Sequence, residues 1–236
     1  MSGSPPKVWS KFSVKKKDGT IVNLRIIEAP KTISEDVHSL YVKYLICEET
    51  NCKLAGVPER PEAMQELESL FLEQTGDSEL HVVVCCLDNG DDQNIDVFGA
   101  SVMALTSKNY QEPEYEFKTK EMQKLFLIMG IFDNYYDEKK ELDLERRFID
   151  KGLFVRPEYR GLGIAQEFLK VRRLICKEFG VAVHGAWMTS YGTQKAAERD
   201  GWEVVCEVKY EDLAKKLGSE ISIDLPSSKF MITRIQ

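Results

Sequence analysis

The residues with the clearest chemical capacity form one run, Arg160-Gly161-Leu162-Gly163-Ile164-Ala165, set between an apolar stretch and a strongly amphipathic one. A strand, a turn with two glycines and a helix start together make an anion site. Glycine lets the backbone approach a ligand closely, and the first helical amides lack internal acceptors and carry the positive end of the helix dipole. Such a turn holds a pyrophosphate without a metal. The local charge agrees, because residues 151–177 carry seven basic side chains (Lys151, Arg156, Arg160, Lys170, Arg172, Arg173, Lys177) against Glu158 and Glu167, in a chain of net charge −7. A basic island in an acidic protein suits a small anionic ligand. The plainer reading is a solvated helix face beside a glycine turn; the strand-turn-helix context favours the anion site. Two other phosphate loops fail. No G-x-x-x-x-G-K-[ST] string occurs, and a dinucleotide fingerprint begun at Gly161 meets Gln166 where Gly or Ala is required.

Other chemistries find little support. Cys47, Cys52, Cys85, Cys86, Cys176 and Cys206 lack the paired spacing of a zinc site, and His38, His81 and His184 form no ligand motif, so no metal is expected. The thiols read as reduced and mostly buried, as in a cytoplasmic protein. None of the histidines sits beside a nucleophile elbow, and Cys47 has no evident histidine partner. With 39 acidic against 32 basic residues, a general nucleic-acid binder is not expected. The apolar run at 125–132 is far short of a membrane span, and the first seven residues lack the apolar core of a secretory signal.

The elements that must position the turn follow from periodicity. Strands are expected at residues 20–28, 81–87, 96–105, 148–155, 181–188, 202–210 and 229–235. Helices are expected from Thr32, where Thr32-Ile-Ser-Glu35 has a capping-box pattern, to about residue 45, then at 62–74 with Gly76 as its stop, 121–136, 163–179 and 193–199. Residues 88–94 read as a hairpin loop, and 137–147 as a solvated connector or helix. Hydrophobic residues make up 43% of the 236, enough for a core without staples, and no low-complexity linker divides the chain. Residues 1–18 read as a flexible N-terminal segment and 19–236 as one α/β domain.

The string Arg160-Gly-Leu-Gly163-Ile-Ala165, placed after the fourth expected strand, resembles the R/Q-x-x-G-x-G/A motif of the GCN5-related N-acetyltransferase (GNAT) superfamily. The element order is similar to that fold over nearly the whole chain, which implies a central mixed β-sheet, splayed where acetyl-CoA binds and flanked by helices. Within the superfamily the chain resembles the insect arylalkylamine N-acetyltransferase group. Cys47-Glu48-Glu49-Thr50-Asn51 stands where that group has D-E-P-L-N, with Glu48 and Asn51 matching. Thr189-Ser-Tyr-Gly-Thr193 stands where it has S-x-x-x-S, and Tyr210-Glu-Asp-Leu213 resembles its Y-x-D-Y. One departure is Ala197, at the position where many GNAT enzymes carry a tyrosine that protonates the leaving thiolate.

The resemblance implies acetyl-CoA as co-substrate, held by residues 160–165 and by backbone amides around Phe154 and Val155. It implies Glu48 as general base, acting through water, and hydroxyls at Thr189 or Thr193 that orient water or meet the thiolate. The residues alone leave Glu48 a solvated carboxylate beside Glu49, expected to turn outward, and leave Thr193 a candidate helix cap. The implied acceptor is a small primary amine, foremost an arylalkylamine such as dopamine, tyramine or serotonin. Agmatine or a polyamine, a protein amine, and a CoA-binding module without turnover remain alternatives.

Overall fold

The computed structural model describes residues 5–74, 79–92, 94–111, 115–218 and 223–235. Gly76 and Gln93, read above as a helix stop and part of a loop, lie outside the described residues. Five strands, β1 (Val8–Lys15), β2 (Ile21–Glu28), β3 (Glu79–Leu87), β4 (Gly99–Ser107) and β5 (Arg146–Val155), pair antiparallel in chain order. Three more, β6 (Val183–Met188), β7 (Glu203–Lys209) and β8 (Ser227–Arg234), form a second antiparallel sheet with β8 in the middle. The helices are α1 (Ser34–Tyr41), α2 (Thr50–Ala55), α3 (Pro61–Gln74), α4 (Lys120–Tyr135), α5 (Glu138–Leu142), α6 (Ile164–Glu178), α7 (Tyr191–Arg199) and α8 (Tyr210–Leu217).

The expected splayed sheet takes the form of these two sheets, which share no ladder between β5 and β6 and are linked through α6. β4 is buried along eight of its nine residues, because helices cover both of its faces. On one side Val84, Ala100 and Val102 pack with residues of α1 to α4; on the other Val83, Cys85 and Met103 pack against Phe168, Val171 and Ile175 of α6. The second sheet closes with α7 through Ala186, Met188, Ala197 and Met231. Burying apolar surface stabilises at roughly 25 cal/mol per Å², so both faces of the first sheet contribute.

The chain departs from its sequence reading at several points. Residues 8–15, within the segment expected to be flexible, form β1, which pairs with β2 from Val14↔Val22 to Val8↔Ile27 and bulges near Trp9. Phe12 and Val14 turn inward while Lys11, Ser13 and Lys15 turn outward, an alternation masked by the lysine run at 15–17. The capping box at Thr32 is not formed. A 3-10 turn at Lys31–Ile33 leads into α1 without a side-chain cap, and Ser34 Oγ instead donates to the Lys31 carbonyl at 2.9 Å. Helix α1 then widens into a π-helical turn at Val42–Ile46. α2 and α8 were not expected from periodicity, since six and eight residues are too few to show it.

Two devices fix α6 on the sheet. The Arg172 side chain, only 1% exposed, donates from Nε to Ser101 Oγ at 2.8 Å and from Nη2 to Asp150 Oδ1 at 2.8 Å and the Gly152 carbonyl at 3.0 Å. Asp150 Oδ1 also accepts the Gly152 amide at 2.8 Å, closing a bulge in β5 about Lys151, whose carbonyl accepts the Tyr41 hydroxyl. Gly152 has φ +115°, and any β-carbon there would meet the Leu45 side chain from the π turn. Only glycine fits.

Candidate active site

The candidate residues meet where the two sheets part. The π turn delivers the chain into a tight turn in which the Glu48 and Glu49 amides both donate to the Leu45 carbonyl, at 3.0 and 2.7 Å. Glu48 Oε2 then accepts from Arg160 Nη2 at 2.7 Å, while Arg160 Nε donates to the Val155 carbonyl at 2.8 Å. Two residues on, Thr50 Oγ1 donates to the Thr189 carbonyl at 2.5 Å. The short segment 48–50 thus ties the end of β5 to the end of β6. A cavity of about 320 Å³ opens there, with Glu48, Thr50 and Leu54 on one side, Ser190 and Tyr191 on another, and Leu225 among its apolar lining.

The glycine turn has the expected form. Gly163 is the N-cap of α6 with φ +83° and makes no side-chain cap hydrogen bond, and Gly161 has φ +78°. Nothing lies within 4 Å of a β-carbon built at either glycine. The turn is thus uncrowded, and the first amides of α6 have no acceptor within the helix, which fits an anion such as a pyrophosphate. Ile164, 1% exposed, anchors the turn in the core while Leu162 and Ala165 are half-buried beside it. Glu167, in the same first turn, accepts from Ser10 Oγ of β1 at 2.6 Å and from Lys170 at 2.9 Å.

The basic island is less basic than its sequence suggests. Arg156 pairs with Asp96 and Glu158, Arg160 with Glu48, Lys170 with Glu167, Arg172 with Asp150 and Arg173 with Asp200. Four of these partners, Asp96, Glu48, Asp150 and Asp200, lie outside the turn and its helix. An anion at the turn would meet oriented amides more than net charge.

Backbone geometry also separates Phe154 from Val155. The Arg156 amide donates to the Phe98 carbonyl, while the Val155 carbonyl accepts Arg160, so the groups of Val155 face away from β4 and those of Phe154 face into the ladder. Val155 remains available at the parting. Phe154 contributes a buried ring, stacked on Tyr44 at 6.3 Å.

Other expected roles change on inspection. Ser190, not Thr193, is the N-cap of α7: its Oγ accepts the Thr193 amide at 3.1 Å and lies 2.8 Å from Thr193 Oγ1, which donates to the Ser190 carbonyl at 3.0 Å. Thr193 is thus taken up in the cap as its third helical residue, while the Thr189 hydroxyl bonds to no described residue. Glu49 does not simply turn outward, because its Oε2 accepts the Cys52 amide at 2.7 Å and caps α2. Ala197 is fully buried against Trp202 and Met231, so no side chain reaches the cleft from that position.

Sequence reasoning missed several polar groups. Tyr210 is 3% exposed, and burial pushes its phenol well above the usual tyrosine range beside Thr50 and Ser228. Its hydroxyl, Ser228 Oγ and Asn51 Oδ1 lack a well-formed hydrogen bond among the described residues. Glu138 sits against β5 and β6: burial pushes its carboxyl up to about 7, despite Arg147 Nη1 at 3.7 Å from Oε2. Gln194 pins α7, donating to the carbonyls of Met188 at 3.0 Å and Ser227 at 2.8 Å. Among the described residues no group of three or more metal-ligating side chains gathers, and no helix is long and apolar enough to cross a membrane.

Two antiparallel sheets that part at β5 and β6, with a glycine turn opening the connecting helix, constitute the GNAT fold, and this chain has it. Similar solved structures include arylalkylamine N-acetyltransferase 7 of the yellow fever mosquito Aedes aegypti, so named, at 22% identity and TM-score 0.84 over 98% of this chain and 96% of that one. Arylalkylamine N-acetyltransferase 2 of the same mosquito is similar at 16% identity and TM-score 0.72, over 90% and 99%. A polyamine N-acetyltransferase of Drosophila melanogaster that forms N-acetylagmatine is similar at 14% identity and TM-score 0.64, over 90% and 100%. No protein-family model and no curated protein sequence matches the chain.

Proposed function

We propose that this protein transfers the acetyl group of acetyl-CoA to a small primary amine, with Glu48 as general base. The observation that carries the reading is that Glu48 lines a cavity beside the start of α7 while its carboxylate accepts a hydrogen bond from Arg160 of the glycine turn. An arylalkylamine is the acceptor class to which the sequence resemblance points, and the names of two mosquito neighbours agree. The Drosophila neighbour puts agmatine beside it.

The residues divide the work as follows. An alkylammonium with pKa near ~10 must lose a proton before its nitrogen can attack. Glu48 accepts that proton, directly or through a water in the cavity. Acetyl-CoA supplies a thioester, whose carbonyl carbon bonds to the amine nitrogen as the carbon–sulfur bond breaks. In this reading the outward amide of Val155 receives the carbonyl oxygen as it gains charge, and the amides of Gly163, Ile164 and Ala165 hold the pyrophosphate. The nitrogen, cationic once bonded to the carbonyl carbon, loses its surplus proton to give the amide, and that loss balances the proton the departing thiolate takes up. With Ala197 buried, Thr189 is the hydroxyl we assign to meet it.

Free thiol followed during incubation with acetyl-CoA and a panel of aromatic, guanidino and polyamine acceptors tests this reading. Amine-dependent thiol release with acetylated amine as product is expected. Tight CoA binding without release would make the protein a CoA-binding module instead.

A further inference from the structure

The cavity beside Glu48 carries a second carboxylate that acetyl transfer does not use. Asp224 lies on the segment joining α8 to β8, between Ile223 and Leu225, and all three line the cavity. Glu48 has its charge met by Arg160 at 2.7 Å. Asp224 makes no ion pair or hydrogen bond with any described residue and stays exposed to the cavity. Among the described lining residues the one cation, Lys53, is exposed and outside ion-pair distance of it.

The lining carries aliphatic groups beside the hydroxyls of Thr50 and Ser190. Leu54, Ile223 and Leu225 offer methyl groups, whereas Tyr191, the one aromatic side chain among the described lining residues, is 67% exposed and does not enclose a ring. A carboxylate for the reacting amine, an aliphatic wall and a second carboxylate with an unmet charge match one ligand shape. That shape is an alkyl chain with an ammonium at one end and a second cation at the other.

We propose that Asp224 determines acceptor choice by pairing with the second cationic group of an α,ω-diamine or a guanidinoalkylamine. The inference rests on the acetyl-transfer reading for its catalytic consequence, but the pairing itself is a binding event. A partly solvated ion pair favours the dication by roughly five-fold in KM, and salt weakens it.

The test compares 1,4-diaminobutane with 1-aminopentane, close in length but lacking the second charge, in wild type and Asp224→Asn. Acetylation kinetics and calorimetric binding are both measured, at low and high salt. The proposal expects the diamine to be preferred by wild type, and Asp224→Asn to raise its KM and Kd about five-fold while the monoamine and acetyl-CoA are unaffected. Equal handling of the two amines by wild type, or an equal change for both in the variant, would overturn it. If neither amine is acetylated but the diamine binds through Asp224, the acetyl-transfer reading fails and this one stands. Thermal melting of Asp224→Asn close to wild type confirms that the comparison is between folded proteins.

Discussion

Gly163 and Gly180 stand at the two ends of α6 in the same backbone conformation, and that symmetry separates binding from folding. Gly163 has φ +83° and Gly180 φ +68°, and a β-carbon at either meets nothing within 4 Å. Alanine at either position therefore costs only the strain of a left-handed L-residue, about 1–2 kcal/mol. For a protein of this length that corresponds to a fall in Tm of roughly 2–8 °C. The consequence for an anion differs. At Gly163 the new methyl would stand beside the first-turn amides assigned to the anion, and each hydrogen bond lost to a charged phosphate is worth about 1.5–3 kcal/mol, or roughly 10–100-fold in affinity. At Gly180 there is no anion to displace, since its amide donates to the Lys177 carbonyl at the opposite end of the dipole. Gly163→Ala and Gly180→Ala should thus melt alike in calorimetry, while titration with CoA shows weakened binding for Gly163→Ala alone. Unchanged CoA affinity in folded Gly163→Ala, or equal loss in both variants, would refute the assignment of the turn.

Three further outcomes are expected. Glu138, raised to about 7 by burial, binds its proton more tightly folded than unfolded, so its contribution to stability falls as pH rises from about 4.5 through 7, by on the order of 3 kcal/mol. Glu138→Gln should remove that slope, and the stability difference between variant and wild type, measured by urea unfolding from pH 5 to 8, should grow in the variant's favour; a difference constant with pH would contradict the burial argument. His184 runs the other way: burial lowers it to about 3, so the unfolded state alone takes up a proton below about 6.5 and stability is lost with acid, a loss that His184→Phe should abolish in the same series. Thr193→Val, which loses the Oγ1 bond to the Ser190 carbonyl but keeps the amide capped by Ser190, should cost stability of about 1 kcal/mol with activity per folded molecule retained, whereas Thr189→Val should keep its Tm and lower kcat; full rates in Thr189→Val would remove its hydroxyl from the mechanism.

The sequence carried β2 to β8 and the glycine turn, though not β1, because their signals are local. The apolar periodicity from Ile164 to Phe179 and two glycines are visible without neighbours, so β5, the turn and α6 lie within two residues of their expected bounds. What it could not carry were partners distant along the chain. The Arg160–Glu48 pair spans 112 positions and Arg156–Asp96 spans 60, so the basic island reads as free charge until folding discharges it. The Thr32 capping box failed because the preceding Pro30 begins a 3-10 turn that uses those residues first. Ser190 was overlooked as a cap because Thr189 and Thr193 were both hydroxyl residues in the resembling motif, and only the register of α7 distinguishes the three. Asp224 has no motif at all. Its meaning comes from a cavity assembled from three separate stretches of chain.

The most direct measurement concerns Glu48, through which the acetyl-transfer account chiefly runs. Glu48→Ala removes the carboxylate and leaves Arg160 held by the Val155 carbonyl. With an amine acceptor at pH 7, kcat/KM should fall by about 10²-fold while the Kd for CoA stays within a few-fold. The deficit should shrink as pH rises toward the pKa of the amine, because free amine then needs no base. A Glu49→Ala comparison accounts for stability, since that variant loses the cap of α2 but not the base. A pH-independent deficit, or a rate near pH 7 equal to wild type, would contradict the account.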